Sequence, residues 1–425
     1  MRHFVFSLTC SVVIGLPLAQ DVITGNLTVF HYHAGERFWM SNPADMAEAA
    51  TARGGRLWFV ASLPPPVNGQ ANCNAAMWVL LSGTIRLRRL SLGRSAFAKV
   101  VRALTNFQAL LWSTRRDDAV YVSIPGQQGA WLLLPAIVAA RMRGLPIWFH
   151  HHSFRSINCG PMALMRLLVA CAGPRQRHIL LSDTMRDRFA ALYLQDDAER
   201  AQAMSNTVLF APAVPTNPLP RADGPATLGH LSVLTPQKGV LYLIELFDEL
   251  SRRIPGIRLV IAGPSSDAAV LAAMRAAEAR HPATFEYRGE VAGPEKERFF
   301  RDIDLFVLPT TLVDEAEPLV VIEAYSRGVD VFATSAGCIP DRIRDPGLTL
   351  SLDRSDDAAL VEGVVREVPT DWQARRAACR AHVARLYADC SEQGAGVFAQ
   401  IHDSVGSPGH GSAMNTTEAM RAYLP

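Results

Sequence analysis

Hydrophobic positions fall into short apolar runs separated by longer amphipathic stretches. Residues 56–63 (RLWFVASL), 119–124 (AVYVSI), 146–151 and 178–182 (HILLS) are too short for helices and predict buried strands. Helical stretches over 131–143 and 186–193 lie between and after them. A second series follows, with strands from His230 (HLSVL), at 258–263, 284–289, 305–308 and 331–334. Helices over 268–280, 295–301 and 319–327 alternate with these, as does one after Gly239. Strands alternating with helices of this length predict an α/β fold of two doubly wound parallel sheets, whose ligands bind beyond the strand C-termini. Three further helices are expected at 356–366, 372–387 and 394–405. The stretch TNPLPRADGPATLG between the two series reads as a hinge. Residues 85–102 mix Lys/Arg with Leu, Phe and Val, but Gly93 interrupts any helical period, so an ordinary exposed segment is expected.

The pattern is densest in chemistry from 305 to 340. Strand LFVL stops at Pro309, a loop carries Asp314, Glu315 and Glu317, and Pro318 can open the next helix. Glu315 precedes that helix and Glu323 lies inside it. The N–H groups of Leu319 and Val320 have no acceptor within the helix and favour an anion. One segment thus offers a phosphate seat and two carboxylates for sugar hydroxyls. Taken alone, two glutamates at this spacing are as readily a helix cap and a solvated residue. In the other strand–helix turn of this half, Lys238 can meet a diphosphate as a point charge, and Gly239 permits close approach.

With LFVLPT before it and TSAGCIP after it, EAEPLVVIEA resembles the E-x7-E segment of glycosyltransferase family 4. The resemblance implies two Rossmann-like domains facing a cleft (the GT-B architecture) and a retaining, nucleotide-sugar-dependent transferase. It puts Glu315 at the donor sugar and Glu323 at the ribose hydroxyls. It makes Lys238-Gly239 the phosphate-binding turn; Gly337, like Glu315 and Lys238, lies just after a strand, where a donor site of this fold belongs. Gly69, in the loop PPPVNG after the first strand, would lie near the donor diphosphate. A histidine at the end of strand 146–151 would lie near the reacting carbon. Alternation puts His150 and His152 on one strand face and His151 on the other; His152 is the first candidate and His150 the second. One position departs from the family: many members carry arginine five residues before the lysine, where Val233 stands here.

The implied organisation is an N-terminal extension over 1–54, an acceptor-side domain over 55–215, a linker over 216–229 and a nucleotide-sugar-binding domain over 230–390. A helix over 391–405 would cross back to the first domain, and 406–425 would be a tail. Residues 4–18 are apolar but shorter than the ~20 a membrane span needs; they resemble a signal-peptide core with a poor cleavage site. Since the domains behind look cytosolic, 1–54 reads as a non-essential extension or a start placed too far upstream, with a weak membrane anchor as the alternative.

Charge adds one distinction. Residues 55–225 carry 19 Lys/Arg against 8 Asp/Glu, and 226–425 carry 20 against 28. A basic first half fits an anionic acceptor such as a lipid-linked saccharide, or peripheral contact with the inner face of a membrane; a solvated basic face fits equally. Seven cysteines without a C-x-x-C pair point to neither zinc nor a disulfide framework. The run His150-His151-His152 lacks further ligands, and Asp302-Ile303-Asp304 precedes a strand, away from the expected site. The expectation is therefore a cytoplasmic enzyme with no cofactor, metal or nucleic-acid partner, using a nucleotide-diphosphate sugar and a hydroxyl acceptor in surface-polysaccharide or glycolipid assembly. Two rivals remain: a nucleotide-sugar hydrolase or epimerase of the same fold, and a non-catalytic sugar- or partner-binding protein, for which only Val233 speaks.

Overall fold

The computed structural model describes residues 30–33, 36–39 and 54–406, apart from 65–67, 94, 127, 196 and 211–225. Most of the N-terminal extension and the tail, part of the PPPVNG loop, and the greater part of the linker therefore lie outside the described residues. Near the N-terminus β1 (Phe30–His33) and β2 (Glu36–Trp39) pair antiparallel.

The first sheet contains β3 (Arg56–Val60), β4 (Arg86–Leu90), β5 (Ala119–Ile124), β6 (Ile147–His151), β7 (Gln176–Leu180) and β8 (Ala201–Ala203). All its pairings are parallel, in the order β4-β3-β5-β6-β7-β8. The helices that follow its strands are α1 (Gly69–Ser82), α2 (Ala96–Ser113), α3 (Leu134–Met142), α4 (Arg155–Asn158), α5 (Ala163–Ala172) and α6 (Asp183–Tyr193). β5 and β6 are buried along their whole length, as parallel strands covered on both faces must be.

The second sheet is also parallel, with β9 (Thr227–Leu231), β10 (Arg258–Ala262), β11 (Phe285–Tyr287), β12 (Leu305–Leu308) and β13 (Asp330–Ala333) in the order β11-β10-β9-β12-β13. Its helices are α7 (Val240–Arg253), α8 (Ala268–Arg280), α9 (Pro294–Asp302) and α10 (Leu319–Ser326). In each sheet the strand order reverses once: between β3 and β5 in the first, between β9 and β12 in the second. Ligand crevices of doubly wound sheets lie at such reversals.

Three readings are corrected. β9 begins at Thr227, inside the stretch read as linker. Residues 85–102 are not a plain exposed segment but β4 and the start of the 18-residue α2. Gly93 does not break that helix; it turns the chain ahead of it. Its φ is +77°, and an added Cβ would meet the Ala98 backbone at 2.7 Å. Ser95 Oγ then accepts from Ala98 N at 3.2 Å and caps the helix. Finally, the three expected C-terminal helices are one, α11 (Arg354–Ser404). Its start packs into the second domain's core through Val361 and its end into the first domain's core through Phe398 and Ile401. Packing on both domains outweighs the break that Pro369 signals locally.

Candidate active site

The two loops at the β9/β12 reversal are fastened to each other. The turn Pro236–Lys238 is capped by Thr235, whose Oγ1 accepts from Lys238 N at 3.3 Å. Gly239 follows with φ +79°, and any Cβ there would sit 2.0 Å from Pro309 O. Thr311 N donates to Gln237 O at 2.8 Å. The result is a Lys238 Nζ–Glu315 Oε2 ion pair of 2.6 Å, with Thr310 Oγ1 donating to the same oxygen at 2.9 Å. Glu315 is only 6% exposed. Gly337, φ +57°, lies under this loop: a Cβ would meet the carbonyl oxygens of Glu315 and Ala316 at 2.4 Å. Its glycine is thus required by packing beneath Glu315. At Gly69 an added Cβ meets nothing within 4 Å, so no protein atom demands glycine there.

Glu323 faces α9, where Lys296 Nζ donates to its Oε1 at 2.6 Å. Sequence reading missed Lys296, because nothing local links it to a helix 27 residues away. Leu319 and Val320 open α10 behind Pro318, and the Leu319 side chain reaches the first domain's core. Val233 is 61% exposed.

The histidines follow the predicted alternation. The His150 and His152 rings lie 4.0 Å apart on one face, while His151 Nε2 lies 3.0 Å from His178 Nδ1 on the other. His150 Nδ1 shares a 2.6 Å hydrogen bond with Tyr121 Oη. Both ring nitrogens of His152 are buried without a hydrogen-bond partner among the described residues. His152 borders a cavity of about 470 Å³ with Trp131, Arg155, Met162 and Met165 among its walls. Burial pushes the His151 and His152 pKa values down to about 3, and that of His150 well below its ordinary value. These histidines are neutral when folded and protonate near 6.5 when unfolded. Their stability contribution is therefore complete above pH 6.5 and is lost as pH falls through that value toward 3. The unfolding free energy from urea denaturation should drop between pH 7.5 and pH 5, by up to ~2 kcal/mol for each such histidine; an unchanged value would mean the rings are not held neutral.

The β12–α10 loop also joins the two domains. Asp314 accepts from Ser153 Oγ at 2.9 Å and from Arg155 Nε at 2.7 Å. Glu317, which sequence reading left as an undifferentiated loop acid, is buried at the seam. It accepts from Ser205 Oγ and Asn206 N, each at 2.6 Å, and pairs with Arg342. Arg342 Nη2 in turn donates to Leu181 O at 2.7 Å. Cys338 is buried, with its thiol pushed up to about 12 by desolvation, and Ser182 caps α6; neither behaves as a nucleophile. Asp302 pairs with Arg288, and Asp304 accepts from Thr227 N at the N-terminal edge of the second sheet, opposite the site.

Two parallel sheets, each reversing its strand order once and joined across a seam, define the GT-B architecture. Residues 216–379 match the family described as Glycosyl transferases group 1. The fold is similar to that of Anabaena HepE in complex with UDP and glucose, at 14% identity and TM-score 0.58, covering 81% of this chain and 100% of that one. It is also similar to a structure described as trehalose-6-phosphate from E. coli bound with UDP-2-fluoro glucose: 14% identity, TM-score 0.61, 82% of this chain and 99% of that one. The pneumococcal O-GlcNAc transferase GtfA in complex with UDP and GlcNAc matches at 14% identity and TM-score 0.54, over 72% of this chain and 60% of that one. A search of curated protein sequences found no match.

Proposed function

We propose that the protein transfers a sugar, with retention at the anomeric carbon, from a nucleotide-diphosphate sugar to a hydroxyl acceptor. One observation carries the reading: Lys238 and Glu315 meet at 2.6 Å where the second sheet reverses its strand order. A ligand crevice belongs there, and the pair supplies a cation for a diphosphate and a carboxylate for a sugar. When the donor binds, Lys238 exchanges Glu315 for the diphosphate, and Glu315 turns to the sugar hydroxyls. Glu323 holds the ribose, and Lys296 beside it adds cationic charge that offsets the valine at 233. As the anomeric C–O bond breaks, Lys238 and the N–H groups of Leu319 and Val320 stabilise the negative charge growing on the leaving diphosphate. The acceptor hydroxyl bonds to the anomeric carbon and passes its proton to a leaving-phosphate oxygen. His152, with His150 behind it, offers an unpartnered ring nitrogen to the donor sugar or the acceptor. Gly69 leaves room for the diphosphate.

In this reading 55–215 holds the acceptor, 230–390 holds the donor, and the last turns of α11 brace the first domain. HepE and the E. coli relative hold UDP or a UDP-sugar, which makes UDP-sugars the first donors to test. A glycolipid or surface-polysaccharide precursor at the inner face of a membrane is the acceptor setting that fits the basic first domain.

Thermal shift of the purified protein against UDP-, GDP- and ADP-sugars tests the donor side. One nucleotide series should raise the melting temperature, since a ligand of the native state stabilises it, and Glu323→Ala should abolish the shift. A well-folded sample that responds to none of them would favour the non-catalytic reading, and Val233→Arg would then be the first reversion to try.

A further inference from the structure

Helix α2 is apolar on both sides. Its inward face buries Ala103, Asn106 and Leu110. Its outward face carries Phe97 (80% exposed), Val100 (53%), Val101 (39%), Leu104 (59%) and Trp112 (80%). The spacing 97, 100, 101, 104 is i, i+3, i+4, i+7, so these residues form one stripe, and Trp112 falls on the same side. A surface helix of a soluble domain normally turns polar residues outward.

The stripe is bordered by cations along the sheet edge. Lys99 and Arg102, though exposed on α2, fall on the side of the helix away from the stripe. Arg86 and Arg88 are exposed on β4, the edge strand of the first sheet. They share a strand face with Leu90, which packs in the same core cluster as Leu110 of α2, so they lie on the α2 side. None of these four has an ion-pair partner among the described residues, and the sequence has no Asp or Glu between Glu48 and Asp117.

We infer that this outward face of α2 is a membrane-docking surface that inserts its apolar stripe among the acyl chains of an anionic bilayer, while the flanking cations meet the headgroup phosphates. Apolar stripe plus basic border is the chemistry of an interfacial helix. No described helix is long and apolar enough to cross a membrane, so α2 would lie on the surface. A second copy of the chain fits less well. A two-fold contact through this face would set the unpaired cations against one another. The large exposed apolar residues of the second domain, Val233, Val313 and Leu352, form no comparable stripe. The inference deepens the acceptor side of the transfer reading and takes its biological sense from it: a docked first domain meets an acceptor held in the membrane.

The test is flotation of the full chain with phosphatidylcholine vesicles, with and without about 30% phosphatidylglycerol. Binding is expected to the anionic vesicles, to weaken in 0.5 M NaCl as about one Debye length of screening shrinks, and to fall at least about tenfold in Phe97→Ser/Leu104→Ser/Trp112→Ser. The triple variant should keep its melting temperature and its nucleotide-induced shift, since exposed positions contribute little to stability. Phe97→Leu should retain binding, and Arg86→Glu/Arg88→Glu should remove the preference for anionic lipid. Equal flotation of wild type and triple variant, or none by the wild type, overturns the inference. So does a wild-type dimer that the triple variant converts to monomer without any vesicle binding. The assay contains no nucleotide, so failure here leaves the donor reading standing, and failure of the thermal-shift test leaves this one standing.

Discussion

Glu315→Gln should lower turnover by about 10²- to 10³-fold, the size expected when one group that stabilises the transition state is removed. Donor affinity should hold or improve. Glu315 accepts from Lys238 and Thr310 at 2.6 and 2.9 Å. A neutral amide in its place releases the Lys238 ammonium from its carboxylate partner and leaves it free for the diphosphate. The substitution keeps the shape of the side chain and the Thr310 contact, so the loop should not move. The measurement is kcat and KM with the donor found by thermal shift, beside a direct titration of that donor. A fall in affinity equal to the fall in turnover would mean that Glu315 mainly holds the ground state, and an unchanged kcat would remove it from the chemistry. Lys238→Ala supplies the contrast: it should weaken donor binding as well as turnover, because in the proposed mechanism its charge meets the diphosphate before and after bond cleavage.

Glu317→Ala should destabilise the protein by about 3–5 kcal/mol, the cost of leaving one member of a buried ion pair alone. Arg342 is 8% exposed and would keep its charge without its carboxylate. Ser205 Oγ and Asn206 N would lose their acceptor as well. Since these donors sit in the first domain and Glu317 in the second, the loss falls on the seam between them. Chemical denaturation should show a lower midpoint, or separation into two transitions as the domains uncouple. The double variant Glu317→Leu/Arg342→Met removes both charges and should recover much of the stability, because replacing a buried pair with apolar groups is often neutral. A Glu317→Ala protein as stable as wild type would show that the pair contributes nothing net to the seam.

The residues of the site differ in how legible they were. Lys238 and Glu315 each stand after a short apolar run and before a helix, and that pattern alone puts both at strand C-termini. The alternation of His150, His151 and His152 follows from the pleat. Lys296 and Glu317 carried no such mark. Glu317 looks like any loop acid near a helix start until Ser205, Asn206 and Arg342 are folded around it. The misreading of 85–102 has another cause: the window spans a strand, the turn at Gly93 and the start of helix α2, so no one period runs across it.

What the sequence determined by itself was the alternation of strands and helices, and with it two parallel sheets and the end of each sheet where chemistry belongs. Those features depend on short-range patterns of two to four residues, which any window of the chain displays. The tertiary structure decided the rest. It fused three helical stretches into α11 by packing them on both domains, closed the Lys238–Glu315 and Lys296–Glu323 pairs, and buried Glu317 at the seam. It also left the stripe on α2 facing outward. Each of these depends on which distant residues come within a few ångströms, and no local pattern encodes that.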